Sequence, residues 1–155
     1  MSRPMPAEFR IRKEDTRIDL LKKRGLSKIQ LAYASRHPLG MTNYFNSLIA
    51  CAYGVNSAIF FNHVSFWIKH NEERKMNYFE DRYWTYGTLE FLLDQYFPYL
   101  SVSMLRTAID KLLDDRIIIR GNFNKHGYDQ TTWYSIDNNR VKRIFDYGHI
   151  DLLIL

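Results

Sequence analysis

The order of apolar and polar positions divides the chain into a polar leading segment and an aromatic-rich body. Pro4 and Pro6 keep residues 1–14 irregular, because proline has no amide hydrogen to donate. Between Asp15 and about Ala34, Ile18, Leu20, Leu21, Ile29 and Leu31 predict one or two short helices. Gly25 separates them and Ser27 caps the second. His37-Pro38-Leu39-Gly40 reads as a turn, and it sets the boundary between an arm (1–40) and a body (41–137). The body opens with a helix over 42–52, broken at Tyr53-Gly54. A second helix follows, capped by Asn56 or Ser57 and running to about Asn71, with Phe60, Val64, Trp67 and Ile68 as its buried stripe.

Residues 71–82 are polar and read as a loop, and Tyr83-Trp84-Thr85-Tyr86 as one short strand. Thr88 caps a helix over 89–96 that ends at Phe97-Pro98. Ser101 caps the next, whose inner face is Leu105, Ala108, Ile109, Leu112 and Leu113. Two helices joined by a tight turn at 97–100 form a helix-turn-helix. Ile117-Ile118-Ile119 predicts a buried strand and 121–129 a turn-rich loop. Thr132, Tyr134 and Ile136, alternating with Thr131, Trp133 and Ser135, predict a second strand. The order is that of a winged helix with 121–130 as the wing. The fold expected is mainly α with a small β-hairpin: a winged helix-turn-helix behind a basic helical arm. Residues 138–155 read as a short amphipathic helix followed by an apolar tail, packing on the body or on a second copy.

Charge sharpens this division. The net charge is +5 over 155 residues. Residues 1–40 hold ten basic and four acidic side chains, whereas residues 41–155 hold 12 and 13. A basic arm on a nearly neutral body suits a phosphate backbone or another anionic surface, although a solvated, partly disordered terminus carries the same pattern. No apolar run is long enough to span a bilayer, and the leading residues lack the apolar core of a signal peptide. The single cysteine, Cys51, forms no internal disulfide. The setting expected is cytoplasmic.

The run from Ala58 to Asp137 resembles the winged-helix DNA-binding domains of phage and plasmid replication proteins and related regulators. The residues that carry the resemblance are Trp67, Trp84-Thr85-Tyr86, Phe97-Pro98-Tyr99-Leu100-Ser101, Arg106-Thr107-Ala108-Ile109, Lys111-Leu112, Arg116-Ile117-Ile118-Ile119, Gly121-Asn122-Phe123-Asn124 and residues 128–137. It covers about half of the chain. It implies double-stranded DNA as partner, a role in replication initiation or transcription regulation of a mobile element, and homodimerisation or a replication or regulatory protein partner. The chain departs from the pattern at Asp114-Asp115-Arg116-Ile117, where the family usually has a glycine for a left-handed turn. Asp115 is expected to take that role.

With Leu105, Ile109 and Leu112 inward, the helical period turns Ser103, Thr107 and Asp110 outward, flanked by Met104, Arg106 and Lys111. Arg106 suits a bidentate contact to guanine, Ser103 and Thr107 suit base edges or phosphate, and Met104 suits a thymine methyl. The helix start at Ser101 suits a phosphate. Arg120, Asn122, Asn124, Lys125 and His126 in the wing, and Arg12, Lys13, Lys22, Lys23 and Arg24 in the arm, are candidates for the DNA backbone. The competing reading is a solvated or protein-binding face. Asp110, Asp114 and Asp115 repel phosphate, and Arg106 is placed to pair with Asp110 at i, i+4. In that case the domain is an adaptor or inhibitor.

Catalytic chemistry finds little support. The chain contains no phosphate loop, no dinucleotide-binding glycine pattern, no nucleophile elbow and no zinc-ligand spacing. Cys51 lies in an apolar helical run, where core packing is expected. His63 and His70 are expected to pack rather than to ligate. The acidic pairs Glu72-Glu73, Glu80-Asp81 and Asp114-Asp115 are sequence neighbours, which do not face each other on a helix. Tyr83, Trp84, Tyr86, Trp133 and Tyr134 are able to stack on unpaired bases, but core packing is the expected role. Neither enzyme activity nor a cofactor or metal is expected.

Overall fold

The computed structural model describes residues 3–145. Beyond an initial 3-10 turn (Ala7–Phe9), the arm consists of two helices, α1 (Arg17–Lys23) and α2 (Lys28–Arg36). Each starts with a reciprocal capping box, Thr16 with Asp19 and Ser27 with Gln30, which satisfies helix-end amides. Gly25 between them is left-handed at φ +78°. Neither helix buries a side chain. The arm is nevertheless tied to the body. The Gln30 amide donates to Pro98 O at 2.8 Å, and Arg36 donates to Asp94 O at 2.8 Å. The turn at 37–40 closes with Gly40 N donating to His37 O.

The first body helix, α3 (Ser47–Tyr53), starts five residues later than its apolar pattern predicts. The reason is Asn46, whose Oδ1 accepts from the amides of Leu48 and Ile49 and fixes the start there. Cys51 is exposed on this helix rather than in the core. Only Ile49 of α3 is buried, so the apolar run is wider than the face that packs. α4 (Val55–Arg74) starts from Gly54 at φ +91° with no side-chain cap. Ser57, expected as a cap, is buried instead and donates to Ala108 O of a later helix at 2.8 Å.

Residues 71–82 are not a loop. α4 extends to Arg74, and β1 (Tyr78–Phe79) pairs antiparallel with β2 (Arg82–Tyr83). Glu80 and Asp81 turn the hairpin with φ of 52° and 61°, and the rings of Tyr78 and Tyr83 pack across it at 4.9 Å. The aromatic run at 83–86 is therefore shared between two strands, with Trp84 as the hinge before β3 (Thr85–Gly87). Trp84 is buried, and its indole donates to Phe79 O.

Two helices joined by a tight turn follow: α5 (Leu89–Gln95), capped by Thr88, and α6 (Val102–Asp114), capped by Ser101. The turn closes with Phe97 N donating to Leu92 O and Leu100 N to Phe97 O. Asp115 caps α6 but does not make the left-handed turn. Asp115 has φ −92°, and the left-handed residue is Arg116 at φ 57°. Ile117 N then reaches Leu112 O at 2.9 Å, a helix-ending bond that requires the reversal one residue later than expected. β4 (Ile118–Gly121) and β5 (Thr132–Ile136) complete a three-stranded antiparallel sheet of order β3-β5-β4. β5 is central, and Tyr134, Ser135 and Ile136 are all buried. The Ser135 hydroxyl donates to Tyr83 O at 2.7 Å. α7 (Asn138–Phe145) returns Val141 to the core.

The molecule is mainly helical with two small antiparallel sheets. One core unites Phe60, Phe61 and Val64 of α4 with Leu92, Phe97, Leu105, Leu112, Ile117 and Ile118. Among the described residues no helix is long and apolar enough to cross a membrane. The apolar tail expected at 150–155 lies outside the described residues.

Candidate nucleic-acid interface

α6 is positioned by one side and presented by the other. Its Ser101 hydroxyl accepts from Met104 N at 3.2 Å, which fixes where the helix begins. Leu105, Ala108, Ile109 and Leu112 are buried, and the period of 3.6 leaves the remaining positions outward. Ser103, Met104, Arg106, Thr107, Asp110 and Lys111 are all exposed. No part of the described chain covers this ridge. Ion pairs among the described residues include Lys23 with Asp15 and Arg36 with Asp94. The Arg106–Asp110 pair of the competing reading is not formed, and the Arg106 side chain is exposed.

Beside the ridge, α6 faces the junction of α3 and α4 across an open groove of about 320 Å³. Ser103, Thr107 and Lys111 form one wall, and Tyr53, Gly54 and Val55 form the other. The Tyr53 hydroxyl donates to the Asp115 carboxylate at 2.7 Å, and Arg140 donates to Asp115 O at 3.0 Å. These bonds tie α3 and α7 to the C-terminal end of α6. Desolvation, then the neighbouring carboxylate, pushes the Tyr53 phenol up to about 12. Asp115 is thereby occupied within the fold. Asp110 and Asp114 remain exposed.

The β4–β5 connection is internally stapled, and this changes the role of one candidate. Asn124 donates to Thr131 O at 2.8 Å and to Asp129 O at 3.1 Å, and its Oδ1 accepts from the Trp133 indole at 2.7 Å. Its amide is consumed by the loop rather than offered to a ligand. Asn122 Oδ1 accepts from Asn124 N in the same turn. Arg120, Lys125 and His126 are exposed, with the His126 ring stacked on Tyr128 at 5.2 Å. At the loop's base a Cβ on Gly121 would stand 2.9 Å from both Trp84 and Phe123, so the backbone passes against the rings as only glycine allows.

Those rings form a continuous cluster. Phe79 stacks on Phe123 at 4.6 Å, and Tyr86 packs on Trp133 at 4.6 Å. Of the aromatics weighed for base stacking, Trp84 and Tyr134 are buried and Tyr86 is exposed. On α4, His63 is enclosed by Phe60, Trp67, Tyr96 and Phe97. Burial among these rings lowers its pKa to about 3.

The arm divides its cations between two tasks. Lys23 bonds the Asp15 carboxylate at 2.7 Å and Arg10 O at 2.9 Å. Arg24 donates to Phe9 O at 2.8 Å. Both hold the arm's own turns together. The Arg12 amide, then Lys23, holds the Asp15 carboxyl below its usual range. Arg12, Lys13 and Lys22 carry exposed side chains.

The residues that sequence reasoning missed are Gln30, Arg36 and Tyr53, whose partners lie far along the chain. No local spacing signals such pairings. No family model, no curated protein and no solved structure matches this chain.

Proposed function

We propose that this protein is a winged-helix module that binds double-stranded DNA, with α6 as the element that enters the major groove. The observation that carries the reading is the uncovered outer ridge of α6, where Ser103, Met104, Arg106, Thr107 and Lys111 stand exposed and Arg106 has no ion pair among the described residues. The order α4, β3, α5, α6, β4, β5 supports a winged helix with the stapled β4–β5 connection as its wing. Arg106 suits guanine O6 and N7, and Lys111, Arg120 and Lys125 suit phosphates. Arg12, Lys13 and Lys22 supply neutralising charge that the near-neutral body lacks. A role in replication initiation or transcription regulation of a mobile element rests on the resemblance of residues 58–137 alone.

The test is selection of bound sequences from a random duplex pool, read at two salt concentrations. On a selected site, Arg106→Ala is expected to cost about 1–3 kcal/mol and to relax preference at one base position. Equal binding of both proteins to every duplex overturns the reading. The exposed carboxylates of Asp110 and Asp114 favour a second reading, a protein-binding adaptor or inhibitor. That reading predicts no duplex binding at low salt and a stable protein partner on purification.

A further inference from the structure

Away from the α6 ridge, α4, β3 and α5 meet around an open cavity of about 200 Å³. His63, Trp67 and His70 of α4 line it, together with Tyr86 of β3 and with Phe91 and Tyr96 at α5. The way these rings meet leaves room for another. Trp67 crosses His70 at 70° and Tyr96 at 67°, and Phe91 crosses Tyr96 at 73°. Edge-to-face pairs leave ring faces unpaired, whereas stacked pairs consume them. The wing-side cluster is the contrast, because Phe79 and Phe123 lie face on face at 9°. At the cavity Tyr86 and Phe91 stay 49% and 47% exposed, so large apolar rings stand open to solvent.

Charge and size select the occupant. Among the described residues that line the cavity, none is Asp, Glu, Lys or Arg. His63 on its wall is uncharged at neutral pH, because burial lowers its pKa to about 3. A charged ligand would lose its water there without gaining a counter-ion, and the phosphate of a nucleotide would meet no cation. An apolar cavity of about 150 Å³ accommodates a benzene ring, so this one takes a system of one or two rings. Asn71 and Thr85 are the buried polar groups of the lining. The Asn71 Nδ2 donates to Trp84 O at 2.8 Å, a bond that uses a donor of the amide and not its acceptor Oδ1. A mostly apolar wall with a few polar groups is the usual make-up of a small-molecule site.

We propose that this cavity binds a small, uncharged, flat aromatic compound of one or two rings, packed among Trp67, Phe91 and Tyr96 and held at its polar edge by Asn71. The inference stands apart from the DNA-binding reading, since it uses neither the α6 ridge nor the arm.

Indole, uncharged and bicyclic with one N–H, is the probe. Its titration into the full-length protein is followed through the side-chain N–H signal of Trp67 in proton–nitrogen correlation spectra, assigned with Trp67→Phe. A saturable shift is expected, with a Kd of about 1 mM or below for a probe of this size. Phenyltrimethylammonium, a cation of similar size, is expected to bind at least about tenfold more weakly. Equal or tighter binding of the cation overturns the proposal in favour of a cation–π cage. The absence of a saturable shift by about ten times the expected Kd overturns it outright. Phe91→Ala, at the exposed mouth, is expected to weaken indole binding about fivefold. Unchanged affinity in that variant puts the probe elsewhere and also overturns the proposal. The comparison of the two probes on the unaltered protein decides the matter should the variant misfold.

Discussion

At the scale of single residues, two side chains acquire their energetic role from what packs around them. His63 is neutral in the fold because the rings around it exclude water, and its pKa falls to about 3 against an ordinary value near 6.5. The unfolded chain therefore binds a proton that the folded chain refuses, anywhere between those two values. The stabilisation is fully present above about pH 6.5 and is lost as the pH falls toward 3, at up to about 1.4 kcal/mol per pH unit. His63→Gln is expected to flatten this part of the stability profile, as measured by urea denaturation at pH 7, 6 and 5; an unchanged slope contradicts the assignment. Asn124 is the second case. As a wing residue it looks like a ligand contact, yet its amide meets Asp129, Thr131 and Trp133. Asn124→Ala is expected to cost about 1–3 kcal/mol through the unpaired groups it leaves, with a shift in Trp133 fluorescence. A surface role would leave the thermal midpoint unmoved.

At the scale of elements, three caps were legible and two reversals were not. Thr88, Ser101 and Ser27 stand immediately before apolar-periodic runs, and each accepts a helix-end amide as its chemistry predicts. The β1–β2 hairpin was invisible because its two turn residues, Glu80 and Asp81, are left-handed without the Asn-Gly or Asp-Gly signature of such turns. The end of α6 was misplaced for a similar reason: the left-handed residue is Arg116, a type with no preference for that conformation. Arg116→Gly removes that cost and is expected to raise stability by about 0.5–1 kcal/mol, read as a higher urea midpoint at unchanged slope. A fall in the midpoint would mean that the Arg116 side chain has packing value that outweighs its backbone strain.

At the scale of the whole molecule, the separation of charge into arm and body is the property on which the proposed DNA binding most depends. The arm is docked through Gln30 and Arg36 onto the α5 end of the helix pair, so its cations are carried at a fixed place on the body. Substituting Arg12, Lys13 and Lys22 together by Ala is expected to weaken binding to all duplexes alike. It should also reduce the slope of log K against log salt by about 0.9 for each phosphate that is no longer neutralised. An unchanged slope would remove the arm from the interface. Lys23→Ala, by contrast, should loosen the arm itself, because its ammonium holds Asp15 and Arg10 O.

Local sequence was enough for several capped helices with strong apolar periodicity, the two strands that flank the 121–130 loop, the inner face of α6 and therefore its outer one. These follow from short-range rules, in which a side chain and the backbone it satisfies lie within four residues of each other. Long-range packing alone set the rest: α3 leaves Leu48 and Cys51 exposed, Asn124 serves the loop, Lys23 and Arg24 serve the arm, and Arg106 has no ion pair among the described residues. Each of those depends on which distant groups arrive within a few ångströms, a fact that emerges only when the core of α4, α5 and α6 has closed.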